Sequence, residues 1–317
     1  VLESGIKSHH LTTFKDGTEL HTSPDHLIRT WRNSKFEWVR QEDLLEGEWV
    51  AFNASSVEYP EPSYTFESED YPQEGHKFTA GMTPHNYKGF SFSGNSELLW
   101  EFLGFLYGDG SLHSDFVILH CGGPRAEIFA RKYTQMLNEH LGVKAICRET
   151  SPSDDGIERM PRWKVKVHNK AFRNFLRTLG VEDQNTYTKR CPIALWSETI
   201  QNRCAFLRGY FSADGTITES LDHINVRSVN DGLLRDTHAL LQSVGIRSGL
   251  RLHSLRVTIL DRFAFKKMIG FRNLSKESRL KNMKSSVYSH QNHHLPDDVV
   301  SKFGEIFYAS KGYTPLP

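Results

Sequence analysis

FLRGYFSADG, residues 206–215, is an aromatic and aliphatic run that ends on an acid, Asp214, held between Ala213 and Gly215. Alone it reads as an ordinary helix stop, with the glycine in the left-handed conformation of a C-terminal cap. A second copy, FLGFLYGDG at residues 102–110, changes that reading. The two acids, Asp109 and Asp214, lie 105 residues apart, and the pattern of elements after the first acid recurs after the second. After Asp109 come an alternating segment (SLHSDFVILHC), an amphipathic helix (PRAEIFARKYTQMLNEHLG), strands at KAICRET and RWKVKVH, and a helix (KAFRNFLRTLG). After Asp214 the same order returns in TITESLDHINVRSV, DGLLRDTHALLQSVG, RSGLRLHSLRVTIL and DRFAFKKMIG. An internal duplication is expected, each half αββαββα or close to it, about a pseudo-twofold axis.

The doubled segment has a chemistry of its own. SELLWEFLGFLYGDG is apolar enough for a buried helix, with Asn95 or Ser96 as N-cap and Gly110 beyond its end. Each copy carries a small residue (Gly104, Gly209) and another four positions later (Gly108, Ala213). Residues so spaced share a helix face, so the two helices can approach closely and bring the acids at their ends together. Two carboxylates at helix C-termini repel each other and the negative dipole end. A hard divalent cation, Mg2+ where phosphate and water complete the shell, removes the conflict.

These segments resemble the two copies of the LAGLIDADG motif of a homing endonuclease family. Both keep the glycine at the third position (Gly104, Gly209), a small residue at the seventh, the acid at the eighth and a glycine at the ninth (Gly110, Gly215). Tyr107 and Ser212 replace an Asp that is not a metal ligand in the family. The resemblance implies an α+β fold and a monomeric, two-motif nuclease that breaks both strands of a long double-stranded DNA site. It also implies Mg2+, with Mn2+ able to substitute, at Asp109, Asp214, Gly108 and Ala213, and a basic residue near each scissile phosphate. Lys189 fits the Lys-x-x-Pro segment of intein-borne members, as Lys189-Arg190-Cys191-Pro192. Lys276, in IGFRNLSKESRL, is the choice for the second repeat, with Arg279 and Lys281 as competitors. DNA reading falls to the strands. Arg162, Lys164, Lys166 and His168 alternate with apolar residues, giving one wet, positive face. His223, Asn225 and Arg227, then Arg251, His253 and Arg256, supply the second repeat.

The formal net charge of +1 conceals two regions: residues 1–95 hold 8 Lys+Arg against 15 Asp+Glu, and the remainder 31 against 23. Such asymmetry is expected when one region meets a polyanion. Residues 5–53 read as short strands between turns at Asp16-Gly17, Ser23-Pro24 and Glu46-Gly47. This N-terminal part resembles the middle of an intein splicing domain, the Hint fold. Ser23-Pro24-Asp25-His26 is similar to its Thr-x-x-His block, in which the histidine (here His26) helps activate the scissile peptide. Val1 stands where an intein has its nucleophile and YTPLP lacks the terminal His-Asn, so this chain alone is expected not to splice without a complementary intein fragment.

The expected divisions are 1–53 (partial Hint), 54–94 (a connector with little regular structure), 95–190 and 191–284 (the two repeats) and 285–317 (a tail of no assigned role). In the tail, His290, His293 and His294 read as a solvated loop for want of a matching ligand cluster. Four scattered cysteines give no CxxC pair and no disulfide framework. No run approaches eighteen apolar residues and the start has no signal-peptide core, so an intracellular protein, cytoplasmic or nucleoid-associated, without a membrane partner is expected. A cleavage-inactive nucleic-acid binder (RNA maturase or regulator) and one component of a split splicing element are the competing readings.

Overall fold

The computed structural model describes residues 8–51, 56–70, 88–113, 116–123, 125–150, 162–181, 185–218 and 223–283. The tail from residue 284 on, with His290, His293 and His294, lies outside them. The chain divides into two compact units, residues 1–54 with 284–317, and residues 55–283.

In the first unit, β1 (His10–Thr13) and β2 (Glu19–Thr22) form an antiparallel ribbon. Its turn uses Gly17 at φ +91°, and Asp16 accepts a hydrogen bond from the Thr18 amide at 2.9 Å. Strands β3 (Leu27–Arg32), β4 (Lys35–Arg40) and β5 (Trp49–Val50) make a sheet in the order β4-β3-β5. Asn33 and Ser34 both sit at positive φ, as the tightest hairpin turn requires. Ile28, Thr30 and Val39 are buried on one face, while Leu27, Phe36 and Trp38 are exposed on the other. Buried Gln41 ties ribbon to sheet, donating to the His10 carbonyl (3.0 Å) and Thr12 Oγ1 (2.7 Å) and accepting from Thr22 Oγ1.

The second unit opens with a correction. Strands β6 (Tyr64–Ser68) and β7 (Phe90–Gly94) pair antiparallel within the stretch expected to be a connector. Phe66, Phe90 and Phe92 pack on Phe175 at ring separations of 5.6, 5.4 and 4.8 Å, so burial of aromatic rings orders a stretch whose turn-rich composition suggests a loop.

The two repeats take the expected order. The first is α1 (Glu97–Asp109), β8 (Gly110–Leu112), β9 (Val117–Cys121), α2 (Ala126–His140), β10 (Ala145–Thr150), β11 (Arg162–Val167) and α3 (Lys170–Thr178). The second is α4 (Ile200–Asp214), β12 (Gly215–Ile217), β13 (Ile224–Arg227), α5 (Asp231–Ser243), β14 (Ser248–Arg251), β15 (Arg256–Ile259) and α6 (Arg262–Met268). An added helix, α7 (Leu274–Asn282), is not expected from the polar sequence around it. The antiparallel sheets run β10-β11-β9-β8 and β14-β15-β13-β12, the same order in both repeats. Helix starts are capped by Ser96, Asn169, Thr199, Asn230, Asp261 and Asn273, each accepting from an amide in the first turn. One apolar core runs through both repeats, with α1 and α4 buried almost all round at its centre. Among the described residues no helix is long and apolar enough to cross a membrane.

Gly110 and Gly215 do not take the left-handed conformation expected of a cap; their φ values are −119° and −68°. Glycine is needed there for space. A Cβ on Gly110 would lie 2.6 Å from the Leu106 carbonyl oxygen, and one on Gly215 would overlap that of Phe211.

Candidate functional site

Helices α1 and α4 meet backbone to backbone. A Cβ on Gly104 would overlap the Phe206 carbonyl oxygen and come within 2.9 Å of the Tyr210 amide nitrogen. A Cβ on Gly209 would overlap the Glu101 carbonyl oxygen and come within 2.7 Å of the Phe105 nitrogen. One turn further, Gly108 faces Ala213, and a Cβ there would stand 3.3 Å from Cγ of Asp214. The small-residue face therefore brings Asp109 and Asp214 together at the paired C-terminal ends.

That geometry sets the electrostatics. Asp109 is the more open of the two to solvent and Asp214 is half-buried. Burial pushes Asp214 up to about 6, and the neighbouring Asp109 adds to the rise. Loss of solvent around its carboxyl also raises Asp109, with Lys276, His120 and Lys189 pulling it back. Lys189 Nζ donates to the Tyr107 carbonyl at 2.9 Å, at the end of α1. Lys276 Nζ donates to the carbonyls of Ser212 and Ala213, 2.7 Å each, and of Phe211 at 3.3 Å, at the end of α4. Burial pushes Lys276 down to about 8 against the pull of Asp109 and Asp214, and lowers Lys189 in the same way. Of the competitors, Arg279 donates to the Ile217 carbonyl at 3.4 Å, while the Lys281 side chain is 70% exposed beside Glu277.

The oxygen donors gathered here are two carboxylates and the end carbonyls of both helices, a set that suits a hard cation. Among the described residues no three His, Cys, Asp or Glu side chains converge, so any cation would rely on those carbonyls and on outside oxygens.

Strand register sets basic residues, predicted and unpredicted, in rows across the sheets. Arg148, Lys164 and His120 stand side by side across β10, β11 and β9. Arg251, Arg256 and Arg227 do so across β14, β15 and β13. Arg148 opposite Lys164, and Arg256 between Arg251 and Arg227, set like charges directly opposite, which destabilises a sheet and suits a polyanion; loss of solvent, with Lys164 beside it, holds His120 toward its neutral form. Arg162 opens β11 opposite Thr150, and Asn225 lies between Thr216 and Thr258. Lys166 covers the Phe116 ring at 3.8 Å, and the His168 ring lies 5.3 Å from the same phenylalanine. His223 precedes β13, and His253 sits in a short helical turn between β14 and β15. In the first unit, Ser23 and His26 share a turn in which the His26 amide donates to the Ser23 carbonyl at 3.0 Å.

Several residues escape a reading of the sequence. His120 and Arg148 complete the first basic row, and only strand register reveals them. Glu101, buried within α1, accepts from Arg272 Nε (2.7 Å) and Nη2 (2.8 Å) and from Arg208 at 3.3 Å. That network links the repeats behind the acids; its one visible signal is a glutamate inside an apolar helix.

Residues 201–262, which run from α4 to the start of α6, match the family model described as a LAGLIDADG-like domain. A DNA polymerase of Thermococcus sp. (strain GE8) is 29% identical over 279 residues, 79% of this chain and 15% of the polymerase. Elongation factor 2 of Methanopyrus kandleri is 30% identical over 138 residues, 41% of this chain and 10% of that protein. This chain thus spans a small fraction of the curated relatives it matches. Among solved structures, the homing endonuclease I-WcaI bound to its DNA recognition sequence aligns with a TM-score of 0.40 and 11% identity, covering 55% of this chain and 81% of that one.

Proposed function

We propose that this chain is a site-specific DNA endonuclease that cuts both strands of a long target as a monomer, and that it belongs to an intein. One observation carries the nuclease reading: Asp109 and Asp214 are held side by side at the ends of two glycine-packed helices, each end also met by a half-buried lysine. A fold selected for stability alone would not place two repelling acids there. Asp109, Asp214 and the carbonyls of Gly108 and Ala213 would hold the metal. A bound Mg2+ supplies Lewis acidity toward the scissile phosphate. Lys276, at about 8, is able to release and recover a proton near neutral pH, and both lysines can face charge developing on phosphate. The two basic rows would supply phosphate contacts for affinity, and Asn225, paired between Thr216 and Thr258, would contact bases.

The intein reading rests on a different pattern. A polymerase and an elongation factor have unrelated activities, yet each shares with this chain only a segment of 15% or 10% of its length. A segment common to such hosts behaves as an inserted element. The Hint-like motif at Ser23 and His26 fits that origin.

The test is incubation with Mg2+ and a deep pool of long DNA, followed by sequencing of new ends, with Asp109→Asn and Asp214→Asn in parallel. Recurrent ends at one extended sequence are expected, reduced to nicks or lost in either variant. Binding without cleavage by the unaltered protein would overturn the nuclease reading in favour of a nucleic-acid-binding role.

A further inference from the structure

We infer that the start of α5 in the second repeat is a clamp that positions Lys189, with Asn230 and Asp236 as its positioning residues; the inference rests on the nuclease reading above. Lys189 lies in a segment that belongs to no helix or strand, so regular backbone pairing does not fix it. A local turn, in which the Asn185 carbonyl accepts from the Lys189 amide at 3.1 Å, shapes the segment, and side chains from α5 and its cap tie it to the second repeat. Asn230 Nδ2 donates to the carbonyls of Lys189 (2.7 Å) and Thr186 (3.1 Å), while its Oδ1 accepts from the Leu233 amide at 2.9 Å as the α5 cap. In the second turn of the helix, Asp236 accepts from Arg190 Nε (2.8 Å), Arg190 Nη2 (2.6 Å) and the Cys191 amide (2.9 Å). The Asp236 side chain is only 7% exposed, so its oxygens depend on these donors. Gly232 leaves room for the arrangement, since a Cβ there would come within 2.8 Å of Arg190 Cδ. The residue itself and the two after it are thus gripped from the second repeat, while Lys189 Nζ reaches the end of α1 in the first.

Lys276 is held in another way. It sits in the first turn of α7, where Asn273 Oδ1 accepts from its amide at 3.2 Å. The clamp therefore serves one of the two lysines, and its loss should affect one strand cut more than the other.

The experiment uses a supercoiled plasmid carrying the site recovered from the pool. Wild type should pass from circle to linear product, whereas Asp236→Asn should accumulate nicked circle. One cut should slow about 10- to 100-fold, the scale set by small misplacements of an active-site group, with KM for the DNA unchanged. General loss of structure would slow both cuts together, and a thermal melt of the variant checks for it. Arg190→Lys alters a side chain 60% exposed, spares the core, and should give the same nicked product. Acetic anhydride labelling of the free protein, read by mass spectrometry, should find Lys189 severalfold more reactive in both variants and Lys276 unchanged. That arm tests the clamp without cleavage, so a wild type that cuts nothing sinks the nuclease reading alone. Unchanged Lys189 labelling, or equal slowing of both strands, overturns the clamp.

Discussion

At the scale of the residue, Asp214 carries a cost that can be measured. Its carboxyl titrates at about 6, above the ordinary carboxylate value of roughly 3.9. Between those pH values the folded protein keeps a proton that the unfolded chain has lost, so stability falls as pH rises through the window and stays lower above it. An asparagine never ionises. Asp214→Asn should therefore be more stable than wild type by about 1–3 kcal/mol at pH 7.5 in EDTA. The gain should shrink toward zero near pH 4. Melting both proteins across that range checks this, and a difference independent of pH would show that charge at this position is not what costs stability. The acid itself is legible in the sequence because its motif occurs twice. The altered affinity for protons is not, because burial and the neighbouring Asp109 are tertiary facts.

At the scale of the element, the α1–α4 pair depends on glycines that admit no side chain. Gly209→Ala would set a methyl into the Glu101 carbonyl oxygen, a backbone atom that cannot step aside. Such overpacking should cost about 3 kcal/mol. The corresponding fall in Tm is about 6–12 °C for a unit of this size. Gly249→Ala in β14 is the control, because nothing lies within 4 Å of its Cβ position. A calorimetric scan of the two variants separates crowding from any general effect of losing a glycine. The helix contact is readable from the four-residue spacing of Gly104 with Gly108 and of Gly209 with Ala213. The ribbon of β6 and β7 is not readable, since Phe66, Phe90 and Phe92 show their purpose only where Phe175 packs against them.

At the scale of the molecule, the described residues of this apolar core all lie within the second unit. A fragment of residues 55–283 should fold alone, melting in one cooperative transition within about 4 °C of the corresponding transition in the full chain. A broad, non-cooperative melt would mean that the core does not suffice. The sequence by itself determined the duplication, the αββαββα order of both repeats, the two acids and the alternation that gives β11 a basic face. Those features are periodic or repeated, and local chemistry specifies them without reference to distant residues. Only the tertiary structure decided which partners meet. It aligned Arg148 and His120 with Lys164, buried Glu101 against Arg272, and gripped the Lys189 segment with Asn230 and Asp236. Each of those contacts joins residues far apart in the chain through register or packing, and neither leaves a period in the sequence.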